Sequence, residues 1–491
     1  MSRPQTFVQR ALGGHAAIGL LASALLYLVA LSGTVVVIHD RWQRWEQPTI
    51  AETTALTPQA AQNAMMSTLR QDAGKPATTH LYIRMPTADL PRAVVTTDHG
   101  GWYVDGTGRV TGREAHAWTE FVIALHEYLH LPSTWGLMLV GALGVALAAL
   151  VLTGVLAHPR IIRDAFRLRL RHAAPIARAD WHNRLGVWTL PFALAIALTG
   201  AFIGLGSVGF TVLAKAYAGG SLEKAYAPIF GVEPPPNSAR APLPDLAAAL
   251  TTLRARVPEA VPTYVIAHDP GTRGSHIQII AEHPRRLIYG ETYAFDAAGR
   301  WRGPLGLADG ALGQQLAAST YNLHFGNYGG LAVEAAYMLL GLALCVVTAT
   351  GTTLWLHKRR RRGLGGERLI AGWTIVVWGT PLALLATVWL RALAGAEAPL
   401  VTAFWGALAA GLVVAALRPG WVAAERLRDG VALGLIATAL VHLLAFHAAP
   451  LPVLGLDAAI ALVGASLGLL PRMIPGHASR HALHGNAAVP A

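Results

Sequence analysis

Long uncharged apolar runs alternate with polar stretches along this chain, and the runs have the length of a bilayer crossing. About 20 consecutive apolar residues carry a helix across the hydrocarbon core. Eight windows reach that length: 16–38, 131–157, 185–213, 335–356, 371–390, 399–417, 431–447 and, interrupted by Asp457, roughly 451–470. The pattern predicts a polytopic all-α membrane protein of about eight spanning helices. Two long polar stretches, between the first and second spans and between the third and fourth, read differently. Each offers a helical stretch (58–71 and 243–256) and then short strand-like runs such as HLYIRM, AVVTT, TYVIAH and HIQIIAE. Asp105 with Gly108, and Asp296 with Gly299, supply hairpin-turn chemistry at matching places. Each stretch is expected to form a small α+β domain of one helix and an antiparallel sheet.

The apolar pattern is also written twice. His15, three residues, Gly19, twelve residues, Ser32-Gly33 is answered by His182, three residues, Gly186, twelve residues, Thr199-Gly200. At 100° per residue both glycines return to the face of the histidine, which leaves a small-residue groove beside an imidazole. LHEYLH before the second span matches LHFGNYGG before the fourth, and Thr153-Gly154 and Thr350-Gly351 close those spans. The expected organisation is a first repeat over 1–158 and a basic loop over 159–184. A second repeat follows over 185–357, and a basic linker over 358–370. Four further spans occupy 371–470, and a tail 471–491. The outer domains would cover 50–118 and 241–305.

Composition sharpens this picture in two ways. The chain is 53% hydrophobic and 13% charged, which suits a membrane protein. Its single cysteine, Cys345, excludes intrachain disulfides and cysteine-based zinc or iron–sulfur centres. The net charge of +12 could suggest nucleic acid, but its location argues otherwise. Residues 158–184 hold seven Arg against Asp164 and Asp180, and the linker holds Lys358 and four consecutive Arg from Arg359 to Arg362. By the positive-inside rule both loops are cytoplasmic, as are both termini, and the outer domains face the other side. Lipid is the expected partner, and nucleic acid is not. The start of the chain reads as a retained first span and not a cleaved signal.

Histidine marks the ends of the four core spans: His15, His158, His182 and His357 at the inner ends, and His39, His126, His130 and His324 at the outer ends. Ionisable residues near membrane depth default to function, and paired imidazoles are the usual axial ligands of b-type haem. A two-fold repeat about an axis along the membrane normal makes symmetry-related histidines the natural partners. His15 would then pair with His182, and His126 with His324, with His130 one turn on as a substitute for His126. Gly19 and Gly186 would line the groove for the flat cofactor. His39, His158 and His357 fit an interfacial anchor better, and His442 and His447 read as packing residues. No dinucleotide fingerprint, P-loop, HExxH or nucleophile triad is present, so no side chain is assigned as catalytic.

The outer stretches resemble PepSY domains. The arrangement of His15-x3-Gly19, LHEYLH, WHNRLGVW (181–188) and LHFGNYGG resembles the PepSY-associated transmembrane family over about residues 1–362. The resemblance implies two haems b held by His15, His126 or His130, His182 and His324, in the inner (cytoplasmic) membrane of a bacterium. It further implies reductive release of iron from a ferric siderophore or another ferric complex in the periplasm. Electrons would come from quinol or a cytosolic flavin reductase. The competing reading is a non-enzymatic scaffold whose PepSY-like domains bind peptides or restrain a periplasmic protease.

Overall fold

A computed structural model describes residues 6–157, 174–231, 234–284 and 286–473. His158, the first part of the basic loop and the tail beyond Met473 lie outside these residues. The chain forms two compact units, 1–159 with 188–345, and 160–187 with 346–491.

In the first unit, α1 (Phe7–Val36) begins at a capping box. The Thr6 hydroxyl accepts the Gln9 amide at 3.3 Å, and the Gln9 side chain accepts the Thr6 amide at 2.9 Å. After the short α2 (His39–Glu46) come α3 (Pro58–Gln71) and a meander of β1 (His80–Arg84), β2 (Ala93–Thr97), β3 (Gly100–Val104) and β4 (Val110–Arg113). Then α4 (Ala117–Tyr128) turns the chain into the spanning α5 (Ser133–Ala157).

The third span departs from the uninterrupted window at 185–213. Helix α6 (Ala174–Trp188) stops, and α7 (Leu190–Gly204), α8 (Gly206–Tyr217) and α9 (Leu222–Phe230) follow as separate pieces. Pro191 lies in the first turn of α7, where its missing N–H costs nothing, but it cannot continue a helix from upstream. Seven described helices are long and apolar enough to cross a membrane, or eight when α6 and α7 count as one broken span. Small residues let α5 and α7 approach closely. A Cβ on Gly141 would come within 2.8 Å of the Gly204 backbone, and one on Gly144 within 2.8 Å of the Ala197 carbonyl.

The second polar stretch repeats the first: α10 (Leu246–Arg256), then β5 (Val261–His268), β6 (His276–Glu282), β7 (Glu291–Asp296) and β8 (Trp301–Pro304). Thr57 and Asp245 cap α3 and α10 through the amides of Ala60 and Ala248, at 3.1 and 2.8 Å. The expected start of the second helix at 243 moves to 246 because Leu243, Pro244 and Asp245 form its cap. The matched turns also hold. Asp105 accepts the Thr107 and Arg109 amides, and Asp296 accepts those of Ala298 and Arg300. Gly108 (φ +85°) and Gly299 (φ +72°) press directly on α3 and α10.

The two stretches do not stay separate. β1 pairs antiparallel with β5, from His80 opposite His268 to Arg84 opposite Tyr264. The result is one eight-stranded sheet in the order β4-β3-β2-β1-β5-β6-β7-β8. Leu81, Ile83, Val265 and Ala267 bury together under α3 and α10, so each half covers the strand edge that the other would expose. Gln62 fixes the two helices to each other by accepting the Leu246 amide at 2.7 Å and donating to the Pro244 carbonyl at 3.2 Å. From the sheet, α11 (Leu312–Phe325) leads into the long α12 (Gly330–Arg361), whose residues up to Cys345 belong to this unit.

The second unit contains α13 (Glu367–Ala394), α14 (Leu400–Leu417), α15 (Ala424–Ala445) and α16 (Leu451–Met473), the four additional spans. Asp457, which interrupts the last apolar window, is buried to 2% exposure and ion-paired with His442 at 3.0 Å. The helix α16 remains continuous through it.

Candidate functional site

His126 lies in the last turn of α4 and His324 in the last turn of α11, so the two repeats contribute equivalent side chains. Their ring centres stand 6.1 Å apart with planes 27° from parallel. His126 Nδ1 donates to the Val29 carbonyl of α1 at 2.9 Å. His324 Nδ1 lies 2.9 Å from the Thr199 hydroxyl of α7, and that hydroxyl spends its own proton on the Ala195 carbonyl, so it accepts from the ring. A carbonyl or an engaged hydroxyl at Nδ1 puts the ring proton there and leaves the lone pair on Nε2. Among the described residues no hydrogen bond occupies Nε2 of either ring. Burial lowers the pKa of both, and the neighbouring His126 adds to it at His324, which falls to about 3. Both imidazoles are therefore neutral, the form that ligates a metal.

The glycines explain how the rings reach these positions. A Cβ on Gly33 would stand 2.7 Å from His126 Cε1, and one on Gly200 would stand 2.9 Å from His324 Cε1. The same arrangement recurs at the other two core histidines. His15 Nδ1 donates to the Leu150 carbonyl of α5 at 3.0 Å, with the Thr153 hydroxyl at 3.3 Å and Gly154 beneath the ring. His182 Nδ1 donates to the Val347 carbonyl of α12 at 3.0 Å, with Thr350 at 3.3 Å and Gly351 beneath. Each histidine thus sits on a notch in another helix: a carbonyl at position n, Ser or Thr at n+3 and Gly at n+4. At His324 position n is Ile196, and the hydrogen bond goes to the n+3 hydroxyl of Thr199. An Nδ1–H anchored on a protein acceptor is the support that ligating histidines have.

The remaining sequence candidates fall elsewhere. Gly19 approaches only the Leu150 side chain, at 3.6 Å, and Gly186 has no atom within 4 Å of where a Cβ would stand. The glycines under the rings are Gly33, Gly154, Gly200 and Gly351. His130 has φ +56°, donates from Nε2 to the Phe121 carbonyl at 2.8 Å and stacks on the Phe121 ring, so it is held by its own helix. His39 is ion-paired with Asp40 at 2.9 Å. His357 lies within α12, in the second unit. The Ser/Thr-Gly dyads were visible in the sequence, but as helix closures. Their role as histidine notches was legible only in the shared count of four.

A cavity of about 660 Å³ opens beside His126, between the sheet and the ends of α1, α4 and α12. Arg41 bonds Asp89 at 2.5 Å and Glu334 at 2.8 Å, and Arg84 bonds Asp40 at 2.5 Å. Burial opposes charge on Asp40 and Arg84, but their attraction outweighs it, with help from His39 at Asp40. Asp40 is held well below the usual carboxylate range and Arg84 above the usual guanidinium range. Glu127 and Glu282 also line this cavity.

Two comparisons place the chain. The family described as the PepSY-associated TM region matches residues 13–358, which is the whole duplicated core with its four notched histidines. An uncharacterized protein of Pseudomonas aeruginosa, PA4219, is 29% identical over 384 residues, covering 71% of this chain and 93% of that protein. The helices after residue 367 lie beyond the matched core. The chain is a multi-pass membrane protein of the PepSY-associated TM family.

Proposed function

We propose that the protein is a haem-b membrane reductase that passes electrons across the bacterial inner membrane to a ferric siderophore or another ferric complex in the periplasm. The observation that carries this reading is the facing pair His126 and His324, each anchored through Nδ1 and 6.1 Å from the other. A ring-centre separation of 6.1 Å leaves room for one metal between the imidazoles, and His126 and His324 would be the residues that hold a haem iron there. Among the described residues no three His, Cys, Asp or Glu side chains gather as a metal cluster. Two protein ligands are what a porphyrin leaves to be filled.

His126 and His324 would hold the outer haem. His15 and His182 carry the same notch, and we propose them as the ligands at the cytoplasmic ends of their helices. Bound haem supplies one-electron transfer. The chain's own part is to fix the tautomers through Val29, Thr199, Leu150 and Val347 and to keep water from the ligands. Reduced iron binds hard oxygen ligands more weakly, so release needs no general acid or base. Quinol or a cytosolic flavin reductase would supply the electrons.

The test is optical. Protein purified in detergent should be red, with a Soret band that sharpens and shifts on dithionite. His324→Ala should remove about one of two haems. Colourless protein from haem-replete cells, or unchanged haem content in both His324→Ala and His182→Ala, would refute the reading.

A further inference from the structure

We infer that the cavity beside His126 is a charge-selective chamber that admits cationic ferric chelates and rejects anionic ones. This rests on the reductase reading and names the substrate class for it. The volume, about 660 Å³, suits a small molecule. Five carboxylates line it, those of Asp40, Asp89, Glu127, Glu282 and Glu334, against the two guanidinium groups of Arg41 and Arg84. Both arginines are already neutralised, Arg41 by Asp89 and Glu334, and Arg84 by Asp40. Neither is left to grip an anion. Glu127 and Glu282 make no ion pair among the described residues. With every lining carboxylate ionised and His39 neutral the lining is three charges negative, five minus two, and with His39 protonated it is still negative by two.

Geometry strengthens the effect. The carboxylates surround a concave space with low-dielectric walls, which focuses their field. Tyr264, Tyr289, Tyr328 and Phe325 supply aromatic faces, the surfaces on which ammonium groups rest. The same charge balance makes the chamber a poor host for haem propionates, which would need unpaired arginines. It is therefore assigned to the acceptor and not to the cofactor.

Gallium(III) chelates share the charge and shape of ferric ones but are not reduced, so binding can be read without turnover. The haem-loaded full chain in detergent would be titrated at low salt with three gallium complexes. The first is a tris-hydroxamate bearing a free ammonium, the second a neutral tris-hydroxamate, and the third a trianionic tris-catecholate. The cation should bind about tenfold tighter than the neutral complex, and the trianion should not saturate. About 0.5 M salt should compress the difference. Glu127→Gln with Glu282→Gln should erase most of the preference. Ala88→Lys, at an exposed position on the rim, should do the same without disturbing any buried group. Trianion binding as tight as the cation, an order unchanged by both sets of variants, or no binding of any chelate would overturn the inference. Those failures in red protein sink the chamber alone, whereas colourless protein sinks the reductase reading.

Discussion

His126 in the duplicated core and His442 in the added helices are both imidazoles set among apolar helices, and they are held in opposite ways. His126 gives its Nδ1 proton to a neutral carbonyl above a glycine. His442 places Nδ1 3.0 Å from the carboxylate of Asp457, itself buried to 2% exposure. A neutral acceptor orients an imidazole and leaves its lone pair for a metal. A carboxylate makes an ion pair that is satisfied within the protein. The residue type is the same, and what stands behind Nδ1 separates the proposed haem ligand from a helix-to-helix tie.

The largest predicted effect breaks the comparison outright if it fails. His126→Ala and His324→Ala should each lose about one haem by pyridine haemochrome assay, and His442→Ala should lose none. Next comes the tie. Removing one partner of a buried hydrogen bond strips the other of that bond and costs about 1–3 kcal/mol. Asp457→Leu should therefore lower the thermal midpoint in detergent strongly while the Soret band per molecule stays constant. His442→Leu combined with Asp457→Leu should recover much of that loss.

The notch itself gives a smaller effect. A valine at Gly200 would put a branched Cβ where His324 Cε1 now stands 2.9 Å away. Gly200→Val should cut outer haem occupancy to a fraction while Gly186→Val, at a position open to 4 Å, leaves it unchanged. Equal loss in both variants would mean that the notch does not set the ligand.

How much of this was legible in the sequence depends on whether the information is local. The repeat and the apolar spans are written in consecutive residues: His15-x3-Gly19 against His182-x3-Gly186, and the apolar windows. The paired turns at Asp105 and Asp296 are also local, and the hairpins form where the Asp and Gly spacing puts them. The joining of β1 to β5 is not local. Leu81 and Ile83 read as inward-facing residues of a small sheet, and nothing in that alternation says that Val265 and Ala267 continue it. The break at Thr189 was masked by hydropathy, which counts Pro191 as tolerable and cannot see that it ends one helix and begins another. The histidine notches needed packing. Gly33 lies on the face of His15 along α1, and an unbroken helix would put Gly200 on the face of His182, which suggested one groove per helix. In space each glycine receives a histidine from a different helix, and Gly19 and Gly186 receive none.

Two further predictions sharpen the comparison at finer scale. Thr199→Ala removes the hydroxyl that His324 Nδ1 bonds but keeps Gly200 beneath the ring, so the ligand should stay. A hydrogen-bond acceptor at Nδ1 adds electron density to the ring and favours ferric iron, so its loss should raise the outer haem potential. One hydrogen bond is worth about 1 kcal/mol, which is on the order of 40 mV for one electron. Redox titration of the wild type beside Thr199→Ala would measure it, and a shift of the opposite sign would break the argument. His442→Ala should leave both potentials where they are.

The smallest effect concerns Glu127, which follows His126 in the chain as Asp457 faces His442 in space. Glu127 does not bond the His126 ring, and its charge is spent on the cavity instead. Burial raises its pKa, with His39 opposing, so it takes up a proton at higher pH than an ordinary carboxylate. The sign follows directly. Its contribution to cation binding is complete above the raised value and fades as the pH falls through it. Burial raises the pKa of Glu282 in the same lining too, so affinity for a cationic gallium chelate should decline on acidification before ordinary carboxylates titrate, by a few-fold, and the decline should be shallower but not absent in Glu127→Gln. A pH profile identical in wild type and Glu127→Gln would show that this carboxylate, unlike Asp457, has no partner in either protein or ligand.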